Sequence, residues 1–157
     1  MKITAQEEYG LRLLLRIAKC RDNGGMNIPD LSEAEGLSAA YVAKLTRILR
    51  IAGYISSTPG YKGGYVLARP AGQININQVL KTLGGALFTK DFCGDYPGTG
   101  SLCTNSVDCS IRSLWQTVQL SVDRLLDQVT LADLMSPEHT SVQLLHALIG
   151  QQTKVLS

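Results

Sequence analysis

The fold is decided by residues 27–55, which read NIPDLSEAEGLSAAYVAKLTRILRIAGYI. Pro29 suits the opening turn of a helix, and Gly36 interrupts that helix about two turns later. Ser38 is a natural N-cap for a second helix that would end just before Gly53. Its apolar residues recur at intervals of three and four and should face the core. They are Val42, Leu45, Ile48 and Leu49. These parts predict a helix-turn-helix, whose second helix enters the DNA major groove by its N-terminal end.

A hairpin is predicted directly after these helices. Residues 54–56 and 65–67 look extended, and the glycine-rich residues between them supply the turn. Tyr61 and Lys62 would lie at the tip, where they can reach a phosphate or the minor groove. Together with the helix pair, this predicts a winged helix-turn-helix DNA-binding domain over residues 1–70. The alternative is a helical domain with an incidental hairpin.

Basic charge is concentrated in this part of the chain. The net charge is only +2, but residues 1–70 hold ten Lys or Arg against six Asp or Glu, and residues 71–157 hold five against seven. Between Tyr41 and Arg69 there is no acidic residue at all. Such a concentration would attract a polyanion, although a solvated helix face is the alternative explanation.

Candidate DNA contacts follow from the predicted helix and wing. Ser38, Tyr41 and Lys44 would lie at the exposed start of the second helix, with Lys44 reading bases. The remaining basic side chains are expected to set position on the DNA backbone. They are Arg47, Arg50 and Lys62, and Arg47 could instead form an internal salt bridge.

The first helix is predicted over residues 4–20, with Leu11, Leu14, Leu15 and Ala18 on its apolar side. A brief helix is expected in residues 75–85. Residues 84–108 lose all periodicity, and a structureless stretch of this length is usually functional or disordered.

Three cysteines lie in or next to that stretch. Nine residues separate Cys93 from Cys103, and five separate Cys103 from Cys109. A thiolate cluster can fix a loop that has too few apolar side chains to fold alone. The spacing is looser than the paired motifs of structural zinc sites, so an iron-sulfur cluster fits better, although a fourth nearby cysteine is missing. Cys20 suits an ordinary core position.

A heptad-like helix is predicted after Cys109. Its apolar residues fall at steps of three and four, and they are Ile111, Leu114, Val118, Val122, Leu125 and Val129. Packing within one chain is possible, but we favour a dimer interface because a twofold partner gives a DNA reader half-site spacing. Thr130 should cap the short helix LADLM. The expected organisation is a cluster-binding loop and dimerisation helix over residues 71–135, and a C-terminal tail over residues 136–157.

Composition excludes several classes of protein. The chain has 157 residues, of which 45% are hydrophobic and 18% charged, which suits one modest folded domain. No apolar run approaches the roughly 18 to 20 residues of a membrane-spanning helix. Glu7 and Glu8 stand where a secretory signal needs apolar residues, so we expect a cytoplasmic protein with reduced thiols. No nucleophile with a partnered base indicates an enzyme.

The assembled motifs resemble the Rrf-two family of bacterial iron-sulfur transcriptional regulators, the group that contains IscR and NsrR. The resemblance covers about residues 1–135. It rests on the opening MKIT, the helix-turn-helix GLSAAYVAKLTRILRIAGYISS, the wing GYKGGYVLARP, the three cysteines and the later SLW and TLADLM. The fold expected is mainly α with a small β-hairpin wing: a winged helix-turn-helix plus a long dimerisation helix. The resemblance implies a homodimer that binds a pseudo-palindromic operator in double-stranded DNA.

The resemblance also implies the cluster ligands. Cys93, Cys103 and Cys109 map directly onto the family's three cysteines. Relatives with a histidine ligand place it at the position that is Arg112 here, so that mode is not available. Other relatives use an acidic residue from the first helix of the partner subunit, which corresponds to Glu8, with Glu7 as the alternative. The acidic ligand favours a two-iron over a four-iron cluster, although nine residues after Cys93, where five are usual, put the cluster type in doubt.

The function expected is a transcriptional regulator whose operator affinity is controlled by the state of its iron-sulfur cluster, sensing redox conditions, nitric oxide or iron-sulfur status. The alternative is a cluster-free member of the same family that responds through cysteine thiol oxidation or a protein partner.

Overall fold

The computed structural model describes residues 3–20, 24–60, 63–86, 88, 92–100, 103, 105 and 107–155. The side chains of residues 92, 93 and 151–155 lie outside the described part. The helices are α1 (Ala5–Lys19), α2 (Ile28–Glu35), α3 (Ala39–Ile51), α4 (Ile76–Gly84), α5 (Phe92–Asp95), α6 (Ser110–Leu126), α7 (Leu131–Leu134) and α8 (Glu138–Val155), with strands β1 (Ile55–Ser57) and β2 (Tyr65–Leu67) between α3 and α4. The chain is mainly α-helical with one antiparallel hairpin, as the sequence predicts.

The helix-turn-helix forms where its sequence signals predict it. The Asn27 side chain caps α2, Pro29 lies in the first turn of that helix, and Gly36 ends it with a left-handed φ of 64°. Ser38 caps α3. Along α3 the predicted core residues Val42, Leu45 and Leu49 are fully buried, and Ile48 packs against them. Thr46 is also fully buried. Its hydroxyl is satisfied there, because it donates a 2.9 Å hydrogen bond to the Val42 carbonyl within the helix.

The first helix packs with a broader apolar face than predicted. Leu14 is buried as expected. Leu13 and Ile17, which are outside the predicted apolar side of α1, are deeply buried as well. Leu11 and Leu15 are only partly buried at the edge of the core. The reason is that α1 contacts α2, α3 and α4 together, so it needs apolar side chains over more than one stripe.

The core continues from the helix-turn-helix into the second half of the chain. Ile76 N–H donates to the Val129 carbonyl at 2.9 Å, and Leu131 N–H donates to the Ile74 carbonyl at 2.8 Å. These bonds tie the residues after α6 to the start of α4. The side chains that form the core are Leu13, Leu14, Ile17, Leu31, Val42, Leu45, Leu49, Tyr54, Ile55, Ile74, Ile76, Val79, Leu83, Val129 and Leu131.

Three parts of the second half differ from the expectation. The aperiodic residues 84–108 contain the short helix α5. Val129, predicted as the last member of the helical stripe, lies beyond the end of α6 and is buried in the core. Residues 138–155, in which the sequence gives no readable element, form α8, whose Leu145 and Leu148 pack against the core. Thr130 caps α7 through a capping box with Asp133, as predicted. Within the described residues, every helix is too short or too polar to cross a bilayer.

Candidate DNA-binding surface and cysteine segment

The start of α3 is open to solvent and carries small side chains. Ser38, Ala39 and Ala40 are all exposed, and the Ser38 hydroxyl accepts the Tyr41 N–H at 3.3 Å. This bond satisfies one of the free N–H groups of the first turn and so fixes where the helix begins. A small, exposed first turn lets a helix approach the floor of a groove closely.

Exposed basic side chains follow along the same helix. Lys44, Arg47 and Arg50 are all exposed, and none of them forms a salt bridge with another described residue. The internal salt bridge considered for Arg47 is therefore absent from the described part of the chain. A helix whose exposed cations form no ion pair with the described residues presents positive potential to a phosphate backbone.

Aromatic rings connect α3 to α1. The rings of Tyr9 and Tyr41 meet edge to face, with centroids 6.1 Å apart and planes at 87°. The Lys44 Nζ lies 5.9 Å from the Tyr41 ring centroid, and the Arg12 guanidinium carbon lies 5.4 Å from the Tyr9 ring centroid. Both tyrosines are half-buried against the core. Tyr41 therefore supports Lys44 as well as lying at the predicted DNA-facing end of α3.

A carboxylate clamp holds α1 to the end of α2. Glu35 accepts hydrogen bonds from Arg12 and Arg16, each at 2.8 Å from Nε, and its side chain is only 4% exposed. Burial raises the pKa of Glu35, but the hydrogen bonds and charges of Arg16 and Arg12 outweigh burial and leave the pKa below its ordinary value. The clamp therefore keeps a charged carboxylate next to the turn of the helix-turn-helix.

The base of the wing is pinned by its own backbone and by the segment before α2. The Thr58 N–H donates to the Gly64 carbonyl at 2.8 Å, and the Thr58 hydroxyl donates to the Gly24 carbonyl at 2.8 Å. Met26 and Tyr65 exchange backbone hydrogen bonds of 3.2 and 2.8 Å. A Cβ on Gly64 would lie 2.7 Å from the Met26 carbonyl carbon, so glycine is required there.

The two predicted wing-tip contacts, Tyr61 and Lys62, lie outside the described residues. The structure nevertheless places the strands that lead to them immediately after α3. Their predicted roles in reaching a phosphate or the minor groove stay predictions.

The three candidate ligand cysteines lie in α5, in the segment after it and at the start of α6. Cys109 is the N-cap of α6, and its Sγ accepts the Arg112 N–H at 3.4 Å. Cys103 and Cys109 are half-buried and form no disulfide. Cys93 lies in α5, and its side chain is outside the described part. Cys20, expected in the core, is only half-buried and is the C-cap of α1.

These cysteines fit the donor set of an iron-sulfur cluster. Cluster iron is held by thiolate sulfur, and backbone N–H groups that bond to the sulfur are a normal part of such sites. The N-terminus of α6 provides both an N–H donor and the positive end of a helix dipole at Cys109. The Arg112 guanidinium donates to the Asn105 carbonyl at 3.2 Å and so ties the segment before α6 to this helix.

The predicted acidic ligands lie in a different place from these cysteines. Glu7 and Glu8 are in the first turn of α1, where they line a groove of about 270 Å³ between α1, α4 and α6. The Glu7 carboxylate accepts the Thr4 N–H in a capping box, whereas Glu8 is exposed. Among the described side chains, no three His, Cys, Asp or Glu lie close enough to hold one metal ion. A single chain therefore does not bring Glu8 together with Cys103 and Cys109.

The N-terminal half of α6 exposes apolar side chains. Ile111, Leu114 and Trp115 are 60%, 54% and 42% exposed, and no residue of α6 is fully buried. On the same side of the helix but further along, Val122 and Leu126 line the groove against α1 and α4. The apolar stripe predicted from the heptad spacing is therefore covered by its own chain only in its second half.

Several residues of this surface were not found from the sequence. Tyr9, Arg12 and Glu35 act through contacts between helices that are far apart in the chain, so no local pattern marks them. Met26 and Thr58 pin the wing, and the only sequence signal for them is the glycine-rich context on both sides. All five residues support the helix or the wing that carries the predicted DNA contacts, although none of them is itself a predicted contact.

The comparisons with known proteins agree on the class of the chain. A family model described as an iron-dependent transcriptional regulator matches residues 3–137. Protein rrf2 of Nitratidesulfovibrio vulgaris is 36% identical over 135 residues, which cover 86% of this chain and 87% of that protein. The HTH-type transcriptional regulator IscR of Photobacterium profundum is 27% identical over 157 residues, which cover 100% of this chain and 86% of that protein.

Solved structures match over most of the chain. The structure of T. potens IscR has a TM-score of 0.67 and 29% identity, with 86% of each chain covered. The oxidized form of Staphylococcus aureus CymR has a TM-score of 0.67 and 30% identity, with 87% of this chain and 98% of that chain covered.

Proposed function

This chain belongs to the Rrf2 family of DNA-binding transcriptional regulators, and we propose that it binds a pseudo-palindromic operator as a homodimer whose affinity follows the state of an iron-sulfur cluster. The proposed ligands are Cys93, Cys103 and Cys109 of one subunit and Glu8 of the partner subunit. The alternative acidic ligand, Glu7, is less suited, because its carboxylate already accepts the Thr4 N–H.

The observation that carries the proposal is the place of Cys109. This cysteine is the N-cap of α6, and the exposed apolar side chains of Ile111 and Leu114 follow within two turns. A thiolate ligand at this position would lie beside the surface that we assign to the dimer. The state of the ligand and the geometry of the dimer would thus be linked by one short piece of helix.

DNA recognition is assigned to α3 and the wing. The exposed first turn supports base contacts by Lys44 and polar contacts by Ser38 and Tyr41. Arg47 and Arg50 are exposed and free of salt bridges within the described residues, which supports contacts to phosphates. Two such surfaces related by a twofold axis would read two half-sites.

The cluster is proposed to have two irons. When bound, it supplies an iron centre in which the carboxylate-ligated iron is more open to oxidation, nitric oxide or loss than an iron with thiolate ligands only. Glu8 is exposed at the start of α1 and takes no part in the capping box, so its carboxylate is available to a second subunit.

The domain organisation follows the same assignment. Residues 1–70 would bind DNA, and residues 71–135 would hold the cluster and the dimer helix. Residues 136–157, expected as a C-terminal tail, include α8. The packing of α4 against α1 and α3, with the Tyr54 and Thr82 hydroxyls 3.3 Å apart, supports a firm connection between the first two parts.

The test is anaerobic purification of the parent and of Glu8→Ala, with counts of iron and sulfide per chain and the visible absorption spectrum. We expect the parent to be coloured and to hold stoichiometric iron and sulfide, and the Glu8→Ala cluster to be lost faster. Glu33→Ala, which removes an exposed acidic residue from α2, is the matched control. An equally stable cluster in Glu8→Ala would remove Glu8 from the site.

A cluster-free regulator is the second candidate. It is favoured by the similarity to the oxidized form of S. aureus CymR and by the two half-buried thiols of Cys103 and Cys109, which form no disulfide here. Colourless anaerobic protein without iron, whose operator affinity changes on thiol oxidation, would support this function and contradict the first.

A further inference from the structure

The DNA-reading end of α3 is supported from α1 by a row of side chains in contact, in which Tyr9 has no assigned DNA contact. The row runs from Glu35 through Arg12 and Tyr9 to Tyr41 and Lys44. Its members touch through a 2.7 Å salt bridge, two cation–ring contacts and one edge-to-face ring pair. It therefore joins the end of α2, the outer face of α1 and the first turns of α3.

We propose that Tyr9 is a positioning residue for base recognition, because it holds the Tyr41 ring as the platform on which Lys44 lies. The proposal rests on the assignment of Lys44 as a base reader. Tyr9 itself is half-buried and is not assigned a DNA contact.

The need for a platform follows from the chemistry of lysine. Lys44 is exposed and has a long flexible stem, and freezing such a side chain on binding costs conformational entropy. Lys44 lies three residues after Tyr41, so the two side chains are neighbours on one helix face. An ammonium group within about 6 Å of a ring centroid is attracted by the ring face. The ring therefore reduces the number of directions in which the amine can point before DNA arrives.

The Tyr41 ring can serve as a platform only if it is itself held. Its plane is at 87° to that of Tyr9, and the two centroids are 6.1 Å apart, which is the favourable edge-to-face arrangement. Tyr9 is held in turn by the Arg12 guanidinium, which is fixed to Glu35. Glu35 also binds Arg16, but Arg12 is the side chain that joins Glu35 to the Tyr9 ring, so the loss of Arg12 removes this contact with Tyr9.

The test compares Tyr9→Leu with Tyr9→Phe. Leucine keeps an apolar side chain against the core but removes the ring, whereas phenylalanine keeps the ring and removes only the hydroxyl. The DNA probe is a duplex that the parent protein selects from a randomised pool, together with its single base-pair variants and an unrelated duplex. Binding is measured anaerobically over a series of salt concentrations.

We expect Tyr9→Leu to lower discrimination between the selected duplex and its variants by about two- to tenfold, the range of one aromatic pair. Binding to the unrelated duplex and the slope of log affinity against log salt should not change, because no phosphate contact is lost. Tyr9→Phe should stay within about twofold of the parent. Arg12→Gln should reduce discrimination in the same direction by a smaller factor, about twofold.

A double-mutant cycle separates positioning from stability. In a Lys44→Ala background, Tyr9→Leu should have no further effect on discrimination, because the side chain that it positions is gone. Equal losses on every duplex in both backgrounds would overturn the proposal and make Tyr9 a structural residue. If Lys44→Ala retains the parental discrimination, the base-reading assignment fails and the inference fails with it. If Lys44→Ala lowers discrimination but Tyr9→Leu keeps the parental value, the inference about Tyr9 fails and the assignment of Lys44 stands.

Discussion

Replacing Leu114 by alanine should weaken the proposed dimer, and the exposure of α6 gives the size of the effect. Leu114 is 54% exposed in the single chain, so about half of its side chain is left for a partner to cover. Complete burial of a leucine is worth about 1.5–3 kcal/mol, and half of that is about 1 kcal/mol. A twofold interface contains each residue twice, which gives about 2 kcal/mol per dimer and roughly a 30-fold rise in the dimer Kd.

The chain offers a closely matched control for this substitution. Leu120 is also on α6 and is 55% exposed, but it lies on the opposite side of the helix from Leu114, Val118 and Val122. Leu120→Ala removes the same atoms at the same exposure. It should leave the dimer Kd within about twofold, because its helix face is outside the proposed interface.

The assay is sedimentation over a dilution series, followed in parallel by intrinsic fluorescence. Trp115 is the single tryptophan of the chain, is 42% exposed and lies next to Leu114. Its emission should shift to shorter wavelength as the dimer forms, and the midpoint of that shift should move to higher concentration in Leu114→Ala. The reasoning would be refuted if Leu114→Ala and Leu120→Ala raised the dimer Kd equally. It would also be refuted if the Trp115 emission stayed the same at concentrations where sedimentation shows the dimer dissociating.

Three further predictions concern DNA recognition, pH and the core. Lys44→Ala should change which base pairs the protein prefers in the selected duplex. Lys62→Ala should weaken binding to most sequences alike and lower the slope of log affinity against log salt by about one. Equal small effects of both substitutions on specific and nonspecific duplexes, in titrations at matched salt, would contradict these roles. The pKa of Glu35 is below its ordinary value of 4.5, so the stability that this carboxylate contributes is complete above that pH and is lost as the pH falls through the lower folded-state pKa. Glu35→Gln should therefore cost about 1–3 kcal/mol at neutral pH and should lose less additional stability than the parent on acidification, measured as Tm against pH; identical acid profiles would argue against the clamp. Leu131→Ala removes a fully buried side chain of α7 and should cost about 2–5 kcal/mol in urea unfolding, and a cost below about 1 kcal/mol would mean that α7 is not part of the core.

The helix-turn-helix could be predicted because its signals are local. Ser38 and Pro29 are capping and first-turn residues, whose effect depends on the next few peptide groups only. The buried face of α3 follows from spacing alone, apart from Thr46, which reads as polar but satisfies its own hydroxyl within the helix. The wing was predicted for the same reason, since its glycines and its two short apolar runs are adjacent in the chain.

Features that depend on distant contacts could not be predicted in this way. The deep burial of Leu13 and Ile17 arises because three helices surround α1, which no single-helix pattern records. The helix α8 has exposed Val142, Leu144 and Ile149 as well as packed Leu145 and Leu148, so its apolar residues give no clean stripe.

The candidate cluster site shows the same limit more sharply. Cys93, Cys103 and Cys109 can be found by counting, because thiols are rare in the chain. The choice between Glu8 and Glu7 as the proposed fourth ligand does not follow from local spacing, since both are in the first turn of α1, and only the structure distinguishes the capping carboxylate of Glu7 from the exposed Glu8. Sequence spacing says nothing about a ligand that comes from a second chain.

The position of Cys109 gives the proposed regulator a short path between its two functions. Its Sγ accepts the Arg112 N–H, one of the N–H groups in the first turn of α6 that the helix cannot bond internally, so a sulfur bound to iron would cap the helix differently from a released one. Ile111 and Leu114 stand on the next two turns and are the most exposed apolar residues on their side of α6. A change in the capping of the first turn of α6 would therefore act first on the proposed dimer interface. The second half of α6, where Val122 and Leu126 line the groove against α1 and α4, is further from Cys109. The regulated quantity would then be the relative placement of two intact winged domains, and α3 could keep one conformation throughout.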